Sequence, residues 1–462
     1  MTKLDVVIRN GEIVTAAGAI GQADIGILDG KIVQIGGELE GELELDATGK
    51  LVMPGGIDTH VHLSSPPSLQ QREPRWVDDF YSGSAAALAG GITTLGNMSF
   101  ADPGELPMDC IQRDADVARG QTMVDLYFHP VLRQAIPEVL DQIPTLFESG
   151  CNTIKMFTVF PDFDAQIPAF MEAARRAHQH GMLTLIHCED HMLIEEATEQ
   201  LLNAGKTSMR YYPESRPVNS EVIATQRAVS FAEATGAPVY IVHLSSKRAL
   251  DVCIDAQERG LPVYVETRPL YLHLTRERFE DADGAKYVGQ PPLREQSDVD
   301  ALWEGIRQGY IHTVCTDHAP WSLEAKLDPT HDLRNLRPGV ANLQTMIPML
   351  YSEGVLKGRI SLGKLVEVTS TNVAKLFGLF PHKGTIAVGS DADVVIFDPE
   401  LEQTVEASMI KSNAAHSVFE GWKVTGWPIA TLRRGELVFQ NGEILSQPGS
   451  GELIARGKTQ AL

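Results

Sequence analysis

The chain has 462 residues, 43% of them apolar and 22% charged, which is an ordinary globular composition and enough for one large domain with an appendage. With 39 basic against 61 acidic residues the formal charge is -22, which argues against nucleic acid or an acidic membrane surface as a partner, since both need clustered Lys and Arg. Five cysteines with no paired close spacing exclude a disulfide framework and a CxxC metal site, and with no export signal and no run of 18 apolar residues a cytoplasmic protein is expected.

In chain order, residues 1 to about 53 read as short strands joined by tight turns: Val6-Val7-Ile8 before Asn10-Gly11, Ile25 to Leu28 before Asp29-Gly30, then Lys31 to Ile35. Asn-Gly and Asp-Gly between β-rich runs signal hairpins. The same texture returns in Ala392 to Phe397 and in Leu437 to Phe439 before Asn441-Gly442, so residues 1–53 and 384–462 are expected to build one small β-sandwich.

Between them, in residues 54–383, apolar runs alternate with helix-like stretches, the pattern of parallel β/α units. The strand candidates are Leu51 to Met53 running on toward His60, Ile92 to Leu95, Met123 to Phe128, Thr153 to Phe157, Leu183 to His187, Val239 to His243, Pro262 to Val265 and Ile311 to Cys315. Helical stretches such as Pro168 to His178 and Glu221 to Ala234 lie between them. The expected fold class is α/β, a (β/α)8 barrel with an appended sandwich.

Six residues end these apolar runs: His60, His62, Lys155, His187, His243 and Asp317. A β/α barrel of about 250 residues spends roughly 31 on each unit. His60 to Lys155 is 95 residues, three units; Lys155 to His187 is 32, one unit; His187 to His243 is 56, one unit enlarged by the insert around Tyr211 to Asn219; His243 to Asp317 is 74, two units. The six thus fall on strands one, four, five, six and eight, on the face where such barrels keep their chemistry.

His60 and His62 flank Val61, so on a strand both imidazoles point the same way and can share one metal. Asp58 is placed either to orient an imidazole or to cap a loop. Lys155 should point into the barrel, where an ammonium is costly. It either pairs with a carboxylate or loses its proton and takes up CO2, and the resulting carbamate could bridge two metals. His187 and His243 would hold the second ion and Asp317 would complete the first site. Imidazole and oxygen ligands suit Zn2+, with Mn2+, Co2+ or Fe2+ as alternatives. A hydroxide held between two such ions is available near neutral pH, and Asp317 would carry its proton to a departing nitrogen. The chemistry is amide hydrolysis.

Gly56-Ile57-Asp58-Thr59-His60-Val61-His62, Asp78-Asp79-Phe80-Tyr81, Ser215-Arg216-Pro217, Tyr240-Ile241-Val242-His243, Pro291-Pro292-Leu293-Arg294 and Gly384 to Asp393 resemble the amidohydrolase superfamily and within it the cyclic amidohydrolases, over nearly the whole chain. The resemblance implies a carboxylated Lys155, two bound divalent metals and a homotetramer acting on a small cyclic amide.

Departures from the family patterns bear on the substrate. Dihydroorotases carry an arginine where this chain has Ser64, and their Met-Pro-Asn appears as Met98-Ser99-Phe100. Thr316 to Pro320 is closer to allantoinases and dihydroorotases, while Asp78 to Tyr81 resembles hydantoinases and dihydropyrimidinases. Dihydropyrimidinases place an oxyanion-binding tyrosine where this chain has Phe160. Gln290 stands at the position of a substrate-contacting serine, and Asn335 matches a substrate-contacting asparagine.

The expected substrate is a 5-substituted hydantoin or a dihydropyrimidine, with allantoin the nearest rival and dihydroorotate disfavoured. A catalytically inert scaffold of the dihydropyrimidinase-like kind would lack metal ligands, and all six positions are filled here. Choice of enantiomer falls to the loops from Leu63 to Arg75 and near Phe160.

Overall fold

Apolar residues repeating at every second position let eight strands bury one side against the barrel axis and the other against helices. They are β1 Gly56–Val61, β2 Ile92–Phe100, β3 Asp125–Val131, β4 Thr153–Phe157, β5 Leu183–His187, β6 Val239–Ile241, β7 Val263–Thr267 and β8 Thr313–Val314, each paired with the next. In β5, Leu183 and Leu185 pack inward against Tyr240 and Tyr264, while Ile186 packs outward. The computed structural model describes residues 3–64 and 76–462, so most of the Leu63 to Arg75 loop lies outside the described residues.

The ring closes between its first and last strands. Val61 bridges His318, and the His62 N–H donates to the His318 carbonyl at 2.8 Å. Buried Asp58 adds a clasp, accepting from the Thr316 N–H at 3.1 Å and the Thr316 hydroxyl at 2.5 Å, as well as from its own strand at the His60 N–H, 3.0 Å. Of the two sequence-based roles for Asp58, neither is its main work: it ties β1 to the end of β8.

Helix Asn372–Leu376 and Phe377 close the N-terminal end of the barrel, where Phe377 meets Tyr240 edge-on at 5.3 Å. The opposite, C-terminal end is left for chemistry.

The expected first strand divides in two. Leu51–Pro54 pairs with Val394 to Phe397 and with Glu12 and Ile13, which puts it in the sandwich, and the barrel begins only at Gly56. The crossing is at Gly55, where a Cβ would lie 2.3 Å from Thr93 Oγ1. Strands β6 and β8 are shorter than expected, and beyond their ends His243 and Asp317 adopt φ of 38° and 49°, outside the extended region. Strand β7 runs further than expected, through Glu266 and Thr267. Helices Ile167–Gln179 and Val218–Thr235 stand where the periodicity placed them.

The sandwich has a four-stranded sheet containing Leu4–Arg9 and a seven-stranded sheet containing Glu12–Thr15, Leu51–Pro54, Val394–Thr404 and Lys423–Arg433. Val6, Ile8, Ile13, Ile27, Val52, Val394 and Leu432 fill the space between them. Asp29-Gly30 and Asn441-Gly442 turn true hairpins. Asn10-Gly11 does not: its flanking strands lie in different sheets, and the turn carries the chain across the core. The last segment also departs from expectation. Residues past 450 leave the sandwich and run beside β3, with Leu126 donating to Glu452 and Ile454 donating back to Leu126.

Candidate active site

At the C-terminal ends of the strands, His60 and His62 converge on one carboxylate. Their Nε2 atoms lie 3.4 and 2.8 Å from Asp317 Oδ1, and their rings are 5.4 Å apart. His243 stacks at 5.4 Å from His60, and its Nε2 is 2.9 Å from Nδ1 of His187. His60, His243 and Asp317 offer ligand atoms all within 4.8 Å of one another, a group that could hold a metal ion. Burial pushes the pKa of His187 and His243 below the ordinary value, keeping them in the neutral form that binds metal.

Lys155 enters from β4, opposite Leu185 of β5, and is completely buried. Among the described residues its Nζ has no hydrogen-bond partner and lies 4.9 Å from the Phe157 ring centre. The paired-lysine alternative therefore fails: among the described residues no carboxylate is within ion-pair reach. Burial lowers its pKa from 10.5 to about 8, with Glu266 and Asp317 only partly opposing the shift. An orphaned, readily deprotonated amine beside a histidine and carboxylate cluster fits a metal-bridging carbamate.

Side chains that the sequence reading missed hold these imidazoles and the Asp317 carboxylate in place. Glu266 Oε1 lies 2.8 Å from His60 Nδ1 and accepts the His243 N–H at 2.8 Å, while Oε2 accepts the Tyr240 hydroxyl at 2.9 Å. Glu189 Oε2 lies 2.9 Å from His187 Nε2, and Arg216 grips that carboxylate at 2.9 and 2.5 Å. Arg268 reaches Asp317 Oδ2 at 3.0 Å. Burial alone would raise the Asp317 pKa, but Arg268 and the two imidazoles outweigh it and hold the carboxyl well below the usual range. Alternation along β7 could have found Glu266, since Tyr264 two residues earlier faces the barrel axis.

His60, His62, His187, His243 and Asp317 line a cleft of about 240 Å³. Its wall is aromatic: Trp76 packs 4.9 Å from His62, Phe100 at 5.7 Å, and Phe157 and Phe160 stack at 4.8 Å, with Trp321 opposite. Phe160 and Gln290 line the cleft as the sequence placed them. Asn335 does not. Its exposed side chain turns back to accept the Asp332 N–H at 2.7 Å, and Leu336 to Gly339 reach the cleft instead. Ser64 accepts the Trp76 N–H at 3.0 Å.

A model of the amidohydrolase family matches residues 51–438. A D-hydantoinase of Geobacillus stearothermophilus is 38% identical over 469 residues, covering 100% of this chain and 98% of that one. A D-hydantoinase of Ralstonia pickettii is 36% identical over 460 residues, 98% of this chain and 99% of the other. The crystal structure of the D-hydantoinase from Bacillus sp. AR9 superposes with a TM-score of 0.95 at 36% identity, covering 99% of this chain and 100% of that one.

Proposed function

Because this chain belongs to the amidohydrolase family, we propose that it hydrolyses a ring C–N bond of a cyclic amide, a 5-substituted hydantoin first and a dihydropyrimidine second. The observation that carries the reading is Lys155: a fully buried amine without a partner among the described residues, beside His60, His243 and Asp317. The neutral amine would add to CO2 and release a proton, turning a costly buried cation into a bidentate anion. His60 and His62 would share one divalent ion with Asp317, His187 and His243 would hold the second, and the Lys155 carbamate would join them, with Zn2+ the metal best suited to these donors. Two such ions supply activated water and a Lewis acid for the scissile carbonyl.

The chain's own residues do the rest. Asp317 takes the proton of the attacking water and gives it to the departing ring nitrogen. Glu266 and Glu189 fix the orientation of His60 and His187. The aromatic wall keeps water from the ring and receives an apolar substituent, which favours a substituted hydantoin over allantoin with its polar ureido group. Phe160 offers no hydroxyl, so dihydropyrimidines lack an oxyanion donor at that position. The names of the relatives make the D enantiomer the expected one. The reading includes a homotetramer in the cytoplasm, where the five buried free cysteines would stay reduced.

The test is ring opening by protein loaded with zinc in bicarbonate, offered hydantoin, both enantiomers of 5-phenylhydantoin, dihydrouracil, allantoin, dihydroorotate and succinimide. Turnover of a hydantoin, abolished in Lys155→Ala and Asp317→Asn, is expected. Preference for allantoin would move the substrate assignment, and inertness on every ring with two metals bound would overturn it.

A further inference from the structure

Arg268 is completely buried beside the metal-binding cluster, and one turn of chain takes up most of its guanidinium, with Nη1 also donating to the Tyr271 hydroxyl at 3.5 Å. Nε donates to the Thr316 carbonyl at 3.0 Å, Nη2 donates to the Asp317 carbonyl at 3.3 Å, and Nη1 lies 3.0 Å from Asp317 Oδ2. Its neighbours are themselves fixed. The Tyr271 ring lies 5.3 Å from it, held by a 2.6 Å bond from its hydroxyl to the Pro291 carbonyl, and a Cβ at Gly289 would stand 3.1 Å from Nη1.

The turn it grips needs holding. Asp317 sits at φ 49°, a region that residues other than glycine seldom adopt, with Asp among the more tolerant of them. The two carboxylate oxygens are also divided: Oδ1 faces His60 and His62, and Oδ2 faces Arg268. A carboxylate oxygen has two lone pairs, so Oδ2 can accept from the guanidinium and still receive a proton.

We propose that Arg268 is the positioning residue for Asp317, setting both the turn and the carboxylate torsion so that Oδ1 is presented to the metal and Oδ2 to the travelling proton. The inference rests on the reading of Asp317 as ligand and proton carrier. A lysine cannot reproduce a fork onto three acceptors, so the exchange is not conservative.

The experiment compares Arg268→Lys, Arg268→Met and Asp317→Asn with wild type in the zinc- and cobalt-loaded proteins. Arg268→Lys keeps the charge and should fold when metal-free, melting below wild type, and should lose metal to a chelator about tenfold more readily. Its kcat should fall about tenfold or more with KM within about twofold, since misplacing a reacting group by about 1 Å costs up to about a hundredfold. The visible spectrum of the cobalt form should shift, as a changed carboxylate donor requires. Arg268→Met, if it folds, should lose about a hundredfold in kcat.

Wild-type kcat, spectrum and metal retention in Arg268→Lys would overturn the inference, whether or not Arg268→Met folds. A wild type inert on every cyclic amide, or an Asp317→Asn variant with undiminished turnover, would overturn the reading of Asp317 itself. Loss in Asp317→Asn with none in Arg268→Lys would remove the positioning role alone.

Discussion

Nδ1 of His60 lies 2.8 Å from Oε1 of Glu266, both side chains fully buried and 206 residues apart in the chain. The contact settles which ring nitrogen is free: Nε2 is turned toward Asp317 Oδ1, where a metal would sit. Carboxylate partners of this kind fix the tautomer and raise ligand basicity, and their loss typically costs 10- to 100-fold in metal affinity. Glu266→Gln keeps an oxygen for the His243 N–H and should fold normally, yet bind zinc about 10- to 100-fold more weakly in competition with a chelator.

Lys155 makes the stability of the metal-free protein depend on pH. Its pKa falls on folding from 10.5 to about 8, chiefly through burial, so between those values the unfolded chain binds the extra proton. Its contribution to stability should therefore rise with pH through that window, and fall to its full penalty as pH drops below about 8. Urea titrations of the metal-free wild type and Lys155→Met should diverge in slope against pH there. The same neutral amine is what would attack CO2, so reactivation of stripped protein by zinc and bicarbonate should be more complete above this pKa than well below it.

Phe160 stacks on Phe157 at the cleft wall and carries no hydrogen-bond donor. Phe160→Tyr adds a hydroxyl where related dihydropyrimidinases have one. Removing such a donor elsewhere costs about 10²- to 10³-fold in kcat, so adding it should raise kcat on dihydrouracil by about tenfold or more. Steady-state kinetics on dihydrouracil and a 5-substituted hydantoin will show whether the gain favours the six-membered ring.

Asp58 joins β1 to the end of β8 through Thr316. Asp58→Ala leaves the buried Thr316 N–H and hydroxyl without that acceptor, and a buried unpaired polar group costs about 1–3 kcal/mol. A loss of about 2–4 kcal/mol in denaturant titration is expected, on the same principle counted for more than one group. The variant should also weaken metal binding, because the closure it loosens lies one residue from Asp317.

The six proposed metal-binding residues were legible because each lies at or near the end of an apolar run, and strand periodicity and unit length are local properties that survive without coordinates. The barrel, the two-ended sandwich and the cleft positions of Phe160 and Gln290 were legible on the same footing, from alternation, turn residues and motif. Partners distant in sequence were not: Glu266 meets His60, 206 residues away, because the sheet closes on itself, and Arg268 meets Asp317, 49 residues away, because their strands are neighbours; Glu189 is only two residues from His187, but that its side chain turns back to the imidazole was decided by packing. Closure also decided that Asp58 would bind Thr316, 258 residues away. Asn10-Gly11 specified a tight turn, but whether its two arms would pair or part into separate sheets depended on which strands stood ready to receive them. Asn335 kept its place in the motif, while local bonding to Asp332 turned its side chain out of the cleft. Sequence alone determined the local backbone pattern and the donor types it carries; the direction of each side chain and the company of each buried charge were decided by packing, because desolvated charges accept only partners that the closed fold brings within reach.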